Sequence, residues 1–183
     1  MHERKKARLN LVAIALVAAM PLVASYLLYL LWKPARFVNY GELFGPLPLV
    51  DAQVPAAVSA LKGKWLFVMS DSGACDTYCA RKLYIMRQVR LTQGQDQERI
   101  ERVWLLEDDK MPEPKLVTEY AGTRLVPAQN SELLRRLAQG SPSRDHIFIV
   151  DPLGNVMMRY PRDPDPSKIK KDISRLLRAS RVG

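Results

Sequence analysis

The feature that most constrains this chain is an uncharged apolar stretch close to its N-terminus. Residues 9–32 read LNLVAIALVAAMPLVASYLLYLLW and contain no Asp, Glu, Lys or Arg. A helix of about 20 apolar residues crosses a hydrocarbon core of about 30 Å, so the stretch predicts a transmembrane helix. Pro21 falls near its middle, where a bilayer tolerates proline as a kink.

A cleaved signal peptide is the alternative interpretation of the same stretch. Val23, Ala24 and Ser25 resemble a small-residue cleavage site. Cleavage there would leave YLLYLLW as an apolar N-terminus, and the run exceeds the 7–15 apolar residues usual in signal peptides. We therefore favour an uncleaved anchor that inserts residues 9–32 into the lipid bilayer.

The charges that flank the stretch predict its orientation. Residues 1–8 form a basic tail with four Lys/Arg, whereas only Lys33 and Arg36 follow the stretch closely. The positive-inside rule then keeps the N-terminus in the cytoplasm. We expect a single-pass protein of a bacterial inner membrane with its main domain in the periplasm.

The net charge of the chain does not indicate a nucleic-acid partner. The chain carries +9, of which residues 1–36 supply +5 through six Lys/Arg and one Glu, which leaves +4 for the rest. A surplus of this size is ordinary for a globular surface. We therefore expect no nucleic acid among its partners.

Beyond the anchor, residues 33–45 predict a linker and residues 46–183 a single domain. GPLPLV predicts an edge strand, because prolines favour that position. Next come a buried strand (KWLFVMS), a helix (ARKLYIMRQVRL) and a second buried strand (ERVWLLED). KLVTEYAG and NSELLRRLAQG predict helices around a short strand TRLVPAQ, and HIFIV-DPLGN-VMMRYP predicts a hairpin before a C-terminal helix capped at Ser167. This order predicts an α/β domain with a mixed sheet of thioredoxin-like type.

The two cysteines of the chain, Cys75 and Cys79, lie where the first buried strand meets the following helix. Three interpretations of this pair are open, namely a redox dithiol, a soft-metal site and a structural disulfide. A disulfide that closes about five residues stabilises the fold by only about 2 kcal/mol. Within a regular helix, Cβ atoms at i and i+4 are about 5–6 Å apart, which is too far for a bridge. A disulfide therefore requires Cys75 to lie in the preceding loop.

The position of the pair favours thiolate chemistry. The N-terminus of a helix supplies positive potential, and Arg81 and Lys82 follow directly. The negative charge of Asp76 has the opposite effect and disfavours a thiolate. Thiolates one helical turn apart can converge on one soft ion such as Cu(I).

His146 is the candidate for a third ligand. The chain has two histidines, and His2 falls in the basic tail. His146 opens an apolar strand that we expect beside the cysteine strand, at the end of the sheet where the cysteine loop lies. A structural histidine is the alternative interpretation.

Two segments of the domain resemble the Sco family of copper chaperones. GKWLFVMSDSGACDTYCARKL resembles the Sco strand that leads into CxxxC, and SRDHIFIVDPLGNVMMRY resembles the Sco DH…DPxG hairpin. The resemblance implies a thioredoxin-like domain on a membrane anchor, with Cys75, Cys79 and His146 as copper ligands. It also implies a role in assembling the copper A centre of cytochrome c oxidase subunit II, or in keeping its cysteines reduced. The chain departs from the family's CPxxCP pattern, because Asp76 and Ala80 replace the prolines.

Three functional hypotheses follow from the sequence. The first is a membrane-anchored copper-handling assembly factor that uses Cys75, Cys79 and His146. The second is a thiol–disulfide oxidoreductase that uses the two cysteines as its redox pair, and the third is a non-catalytic platform in a membrane complex. Glu107, Asp108 and Asp109, which follow the second buried strand, are interpreted as a solvated loop.

Overall fold

The computed structural model describes residues 2–31, 39–48, 56–180 and 182. The chain divides into two compact units, Met1–Val38 and Asn39–Gly183. Residues 33–38 of the predicted linker lie outside the described residues, as do Trp32 at the end of the predicted span and the segment 49–55.

The first unit contains one long helix, α1 (His2–Leu31), with Pro21 inside it. Its segment Asn10–Leu31 has a mean hydropathy of 2.4 and none of it is buried. By length and composition this helix can cross a membrane, as the apolar stretch predicts. The direction of crossing and the identity of the membrane stay predictions.

The second unit is built on one mixed sheet of six strands in the order β1-β6-β5-β2-β3-β4. β2, β3 and β4 are parallel, whereas β5, β6 and β1 continue the sheet antiparallel. β1 lies at an edge, as its prolines predict. The strand bounds are β1 (Glu42–Pro48), β2 (Trp65–Asp71), β3 (Ile100–Leu106), β4 (Thr123–Pro127), β5 (Ile147–Val150) and β6 (Asn155–Tyr160).

Helices cover both faces of this sheet. α3 (Thr77–Leu91) and α6 (Pro166–Ala179) pack on one face of the sheet. Tyr120, which directly follows α4 (Pro114–Glu119), packs on the same face. The short helices α2 (Ala56–Ser59) and α5 (Glu132–Leu137) contribute to the core on the other face. Because both faces are buried, β2 reads as a continuous apolar run and does not alternate. The predicted α/β fold with a mixed sheet is confirmed.

Two element boundaries differ from the sequence prediction. β1 begins at Glu42, inside the segment 33–45 that the sequence assigns to a linker. α6 begins at Pro166, and Asp165 is its N-cap, so the prediction of a Ser167 cap is wrong. Pro166 occupies the first turn, where a missing N–H costs nothing, and the Asp165 carboxylate accepts a hydrogen bond from the backbone N–H of Ser167 at 2.8 Å.

Candidate functional site

Cys75 and Cys79 form a disulfide with a Cα–Cα distance of 5.1 Å. Cys75 lies in the loop before α3, in the left-handed backbone region with φ 44°, and Cys79 lies in the first turn of the helix. The condition that the sequence set for a bridge, a first cysteine outside the regular helix, is met. The loop conformation shortens the spacing that a helical i, i+4 pair would have.

The two sulfur-bearing residues differ in their exposure. Cys79 is 0% exposed and belongs to the core that joins α3 to the sheet. Cys75 is partly exposed and packs against the edge of that core. An external thiol or metal ion therefore reaches Cys75 first, and Cys79 is the inner partner.

Asp76 makes the transition from the cysteine loop to the helix. Its carboxylate accepts a hydrogen bond from the backbone N–H of Cys79 at 2.8 Å, as the N-cap of α3. The backbone N–H of Cys75 donates to the carbonyl of Ser72 at 3.1 Å. Where the Sco pattern has a proline, this chain thus begins its helix with an acidic cap. The cap also places a negative charge beside the cysteine pair.

The two cations that follow the pair have different surroundings. The Arg81 side chain is 58% exposed and pairs with Asp163 at 3.3 Å. The Lys82 side chain is fully buried and pairs with Asp71 at 2.8 Å, and it also donates to the carbonyls of Ser70 and Arg144. Burial lowers the pKa of Lys82, and the hydrogen bond with Asp71 opposes that change. Because Asp71 balances its charge, Lys82 favours a thiolate less than the sequence predicts.

The acidic segment after β3 is not a solvated loop, so that interpretation is wrong for two of its three members. Asp108 accepts hydrogen bonds from the Ser72 hydroxyl at 2.6 Å and from the Gly73 N–H at 2.9 Å. These bonds lower the pKa of Asp108, the Ser72 bond most strongly. Only Asp109 is exposed without such a role. Asp108 therefore holds the loop that leads to Cys75.

Glu107 holds the turn that leads to His146. It accepts hydrogen bonds from the Ser143 hydroxyl at 3.2 Å and from the Arg144 guanidinium, and the hydrogen bond from Arg144 raises the pKa of that arginine. Glu107 and Asp108 are consecutive residues at the end of β3. One strand end thus fixes both segments that carry the predicted site residues.

His146 lies at the start of β5, directly after the short 3-10 turn Ser143–Asp145. β5 pairs with β2, with Ile147 opposite Met69, so the predicted neighbourhood of the histidine strand and the cysteine strand is confirmed. The ring Nδ1 contacts the Tyr160 carbonyl at 2.7 Å. A carbonyl only accepts, so Nδ1 carries a proton, and in the neutral ring Nε2 then accepts from the Ser141 hydroxyl.

The ring of His146 faces away from the cysteine helix. The centres of the His146 and Phe148 rings are 5.8 Å apart. Phe148 belongs to the core on the face covered by α2 and α5, whereas Cys79 belongs to the core on the face covered by α3 and α6. Among the described residues, no three His, Cys, Asp or Glu side chains are grouped to hold a metal ion. The cysteines and His146 therefore lie at the same end of the sheet but on opposite faces of it.

The sequence analysis missed the buried ion pair of Lys82 and Asp71, because it considered Lys82 only as a charge beside the cysteines. Both left a signal in the sequence. Lys82 falls on the buried stripe of α3 with Cys79, Leu83 and Met86, at helical spacing, and Asp71 ends a strand whose every residue is buried. A lysine on an apolar stripe needs a buried partner of opposite charge. The partners of Glu107 and Asp108 left no comparable local signal.

Comparisons with known proteins agree with this architecture. A family model described as transmembrane-like, thioredoxin-like, C-terminal domain matches residues 65–180. A comparison with curated proteins finds no match. Among solved structures, apo Sco1 from Thermus thermophilus has a TM-score of 0.53 and 17% identity, covering 79% of this chain and 98% of that one.

Two further solved structures have a similar fold. BsSco, described as a Sco-family cytochrome c oxidase assembly protein with a disulfide switch, has a TM-score of 0.50 and 14% identity, covering 78% of this chain and 96% of that one. Copper-bound ScoI from Arabidopsis thaliana has a TM-score of 0.50 and 14% identity, covering 78% of this chain and 100% of that one. At these identities the likeness establishes the fold. The predicted thioredoxin-like fold is confirmed, and the predicted resemblance to Sco proteins is confirmed at the level of the fold.

Proposed function

Because the chain belongs to the family of transmembrane-like, thioredoxin-like C-terminal domains, we propose that it is a membrane-anchored copper-handling and thiol-redox factor. The observation that carries the proposal is the Cys75–Cys79 disulfide at the start of α3, with one partly exposed and one buried cysteine. Such a pair has an accessible reactive sulfur and an internal partner that closes the bridge. We place its action in the periplasm, at the assembly of the copper A centre in cytochrome c oxidase subunit II.

In the copper-handling step the reduced pair binds Cu(I). The thiolates of Cys75 and Cys79 are soft ligands that suit this ion, and His146 is the proposed third ligand. Its Nδ1–H donates to the Tyr160 carbonyl, which leaves the lone pair of Nε2 free for a metal once the Ser141 hydroxyl is displaced. Because His146 faces the other side of the sheet, its ring and the turn before it must move for the three ligands to meet. Thiolates of the partner then take the ion by ligand exchange.

In the redox step a separate reducing partner, distinct from the protein that takes the copper, reduces the disulfide with its own dithiol. A partner thiolate attacks the Cys75 sulfur, the S–S bond breaks, and Cys79 leaves as a thiolate that takes up a proton. The second partner thiolate attacks the partner's own sulfur in the mixed disulfide and releases Cys75. Two electrons and two protons pass to the cysteine pair, and the partner becomes a disulfide. Oxidation of the pair switches copper binding off, because a disulfide offers no thiolate.

A Cu(I) titration tests the copper-handling proposal. The reduced full-length chain in detergent is titrated anaerobically with Cu(I) against a competing chromophoric chelator. We expect one equivalent to bind and Cys79→Ser to abolish tight binding. His146→Ala should weaken binding by about tenfold or more, whereas His2→Ala serves as the matched control and should leave it unchanged.

Ser141→Ala sharpens the assignment of the ligand atom. If Nε2 of His146 binds copper, removal of the competing hydroxyl strengthens binding severalfold. Equal affinity in the wild type and in His146→Ala would remove the histidine from the site. A wild type that binds no Cu(I) would contradict the copper role altogether.

A thiol–disulfide oxidoreductase is the second candidate function. The closed disulfide and the orientation of His146 away from the cysteines favour it. It predicts that the reduced chain turns over a disulfide-bonded peptide. Cys75→Ser should lose this activity, whereas His146→Ala should keep it. A chain that neither binds Cu(I) nor exchanges disulfides is a platform, and its cysteine bridge is structural.

A further inference from the structure

The C-terminal helix α6 presents a basic face to solvent. Its apolar side, formed by Ile169, Ile173 and Leu177, is buried against the sheet and α3. The one acid within the helix, Asp172, is 2% exposed and lies on the buried side. The opposite side carries five exposed cations and no exposed carboxylate: Lys168, Lys170, Lys171, Arg175 and Arg178. We call these five residues the basic face.

The spacing of the basic face brings like charges together. Lys168, Lys171, Arg175 and Arg178 follow one another at intervals of three or four residues, so their side chains are neighbours along the helix. Like charges at this spacing destabilise a helix. Packing of the apolar side holds α6 in place, so the fold does not need this charge pattern. Arg175 lies 3.9 Å from the Asp172 carboxylate, and a negatively charged partner outside the domain would relieve the repulsion among the cations of this face.

The start of the domain is fixed to the same helix. The Asp172 carboxylate accepts hydrogen bonds from the backbone N–H groups of Tyr40 and Gly41, both at 2.9 Å. The Tyr40 hydroxyl accepts from the N–H of Asp165 at 3.1 Å, and the ammonium of Lys168 lies 5.1 Å from the centre of the Tyr40 ring. The chain therefore enters the second unit against α6, beside one end of the basic face.

The segment of sequence between the apolar helix and this entry point is short. Eight residues, 32–39, separate Leu31, the last residue of the apolar helix, from Tyr40. Nine Cα–Cα steps at full extension span about 30 Å. A tether of this length keeps the domain at high effective concentration near the bilayer that holds α1.

We propose that the basic face binds anionic phospholipid headgroups of the membrane in which the chain's own helix is anchored. Ammonium and guanidinium groups donate to the phosphate oxygens, guanidinium in a bidentate manner. Each basic residue near an anionic surface adds to the attraction, and salt screens it within a Debye length. The inference uses the membrane anchor but neither the copper nor the thiol chemistry proposed above.

Acetylation footprinting tests the inference on the full-length chain. The protein is reconstituted in nanodiscs of phosphatidylcholine, with or without 30% phosphatidylglycerol, and pulsed with a water-soluble acetylating reagent. In low salt we expect phosphatidylglycerol to slow the acetylation of Lys170 and Lys171 at least threefold. The exposed lysines Lys62 and Lys115, which lie outside α6, should react at the same rate in both bilayers. Salt at 0.5 M should remove the protection.

Charge reversal provides the second measurement. Lys171→Glu should reduce the protection of Lys170 at least twofold, whereas Lys62→Glu has the same change in net charge and should leave it intact. Equal rates in the two bilayers, protection in phosphatidylcholine alone, or uniform slowing of all four lysines would each overturn the inference. Recovery of the chain with the nanodiscs reports the anchor separately, so loss of the anchor is not mistaken for failure of the basic face.

Discussion

At the scale of single residues, the ion pair of Lys82 and Asp71 joins the helix that carries Cys79 to the end of β2. The Lys82 ammonium lies in the interior and binds Asp71 and the Ser70 carbonyl on β2, together with the Arg144 carbonyl in the turn before His146. One side chain on the cysteine helix thus ties the helix to both neighbouring segments. Buried ion pairs are weak sources of net stability, but removal of one partner leaves an uncompensated charge.

Lys82→Ala should therefore destabilise the fold by about 3–5 kcal/mol. The neighbouring exposed cation is the matched control, and Arg81→Ala should cost less than about 1 kcal/mol because its pair is solvent-screened. Denaturant unfolding of the oxidised chain measures both. Lys82→Met leaves the Asp71 carboxylate buried without its partner. Adding Asp71→Asn to Lys82→Met removes that unpaired charge and should restore part of the lost stability. A loss below 1 kcal/mol in Lys82→Ala would contradict this role.

Asp108 gives the cysteine loop a dependence on pH. Its hydrogen bonds from Ser72 and Gly73 lower its pKa in the folded chain below the unfolded value of 3.8. The stabilisation is therefore complete above that value and is lost as pH falls through the lower folded pKa. Thermal unfolding between pH 6 and 2.5 should show a smaller decrease of Tm in Asp108→Asn than in the wild type. Asp109→Asn, the exposed neighbour, should behave as the wild type; an equal change in both variants would exclude the assignment.

At the scale of elements, the junction of β2 and α3 combines a helix cap with the redox pair. Asp76 satisfies the N–H of Cys79, and Gly73 lets the loop approach the segment after β3. A Cβ on Gly73 would lie 1.7 Å from the Lys110 carbonyl oxygen, so the backbone of the two loops is in contact. The cysteine loop is therefore held by its own cap and by a neighbouring loop.

Removal of the cap should change both stability and redox balance. Asp76→Ala should lower stability by about 1 kcal/mol, as is typical of a lost N-cap. It also removes a negative charge beside the thiolates and frees the Cys79 N–H, so the equilibrium with glutathione should shift several-fold towards the dithiol. The matched control is Asp165→Ala at the cap of α6, which should cost similar stability and leave the redox equilibrium unchanged. An unchanged equilibrium in Asp76→Ala would refute the proposed influence.

At the scale of the whole molecule, the second unit is closed by a contact between its two ends in sequence. Asp172 in the last helix holds Tyr40 and Gly41, which are more than 130 residues earlier in the chain. Gly41 allows this close packing, because a Cβ would lie 2.2 Å from the Met158 sulfur and the methionine side chain would have to move. The N-terminal entry, the edge strand β1 and α6 thus form one structure.

Asp172→Ala should destabilise the second unit by about 2–4 kcal/mol, because two backbone donors lose a charged acceptor in the interior. Asp109→Ala removes an exposed carboxylate and should cost less than 0.5 kcal/mol, the range typical of surface substitutions. Hydrogen exchange at Tyr40 and Gly41 should accelerate in Asp172→Ala only. Unchanged exchange at these two amides would show that the contact does not hold the entry segment.

Local patterns in the sequence were sufficient for much of this architecture. The uncharged run of residues 9–32 indicated a helix that can cross a membrane. The continuous apolar run of β2 and the stripes of α3 and α6 indicated a sheet covered by helices. These properties depend on side-chain period and hydropathy, which neighbouring residues determine. The position of Cys75 before the helix was likewise the condition that the sequence set for a disulfide.

Long-range packing sets the side chains that hold the cysteine loop and its neighbouring segments in place. Asp108 reaches Ser72 across 36 residues, Lys82 reaches the Arg144 carbonyl across 62, and His146 directs its ring to the face opposite Cys79. Such contacts depend on strand order and register, and a shift of one residue reverses the face on which a side chain lies. Local sequence pattern therefore accounts for a helix long and apolar enough to cross a membrane and for a cysteine pair at a strand–helix junction, whereas long-range packing sets what that pair can touch.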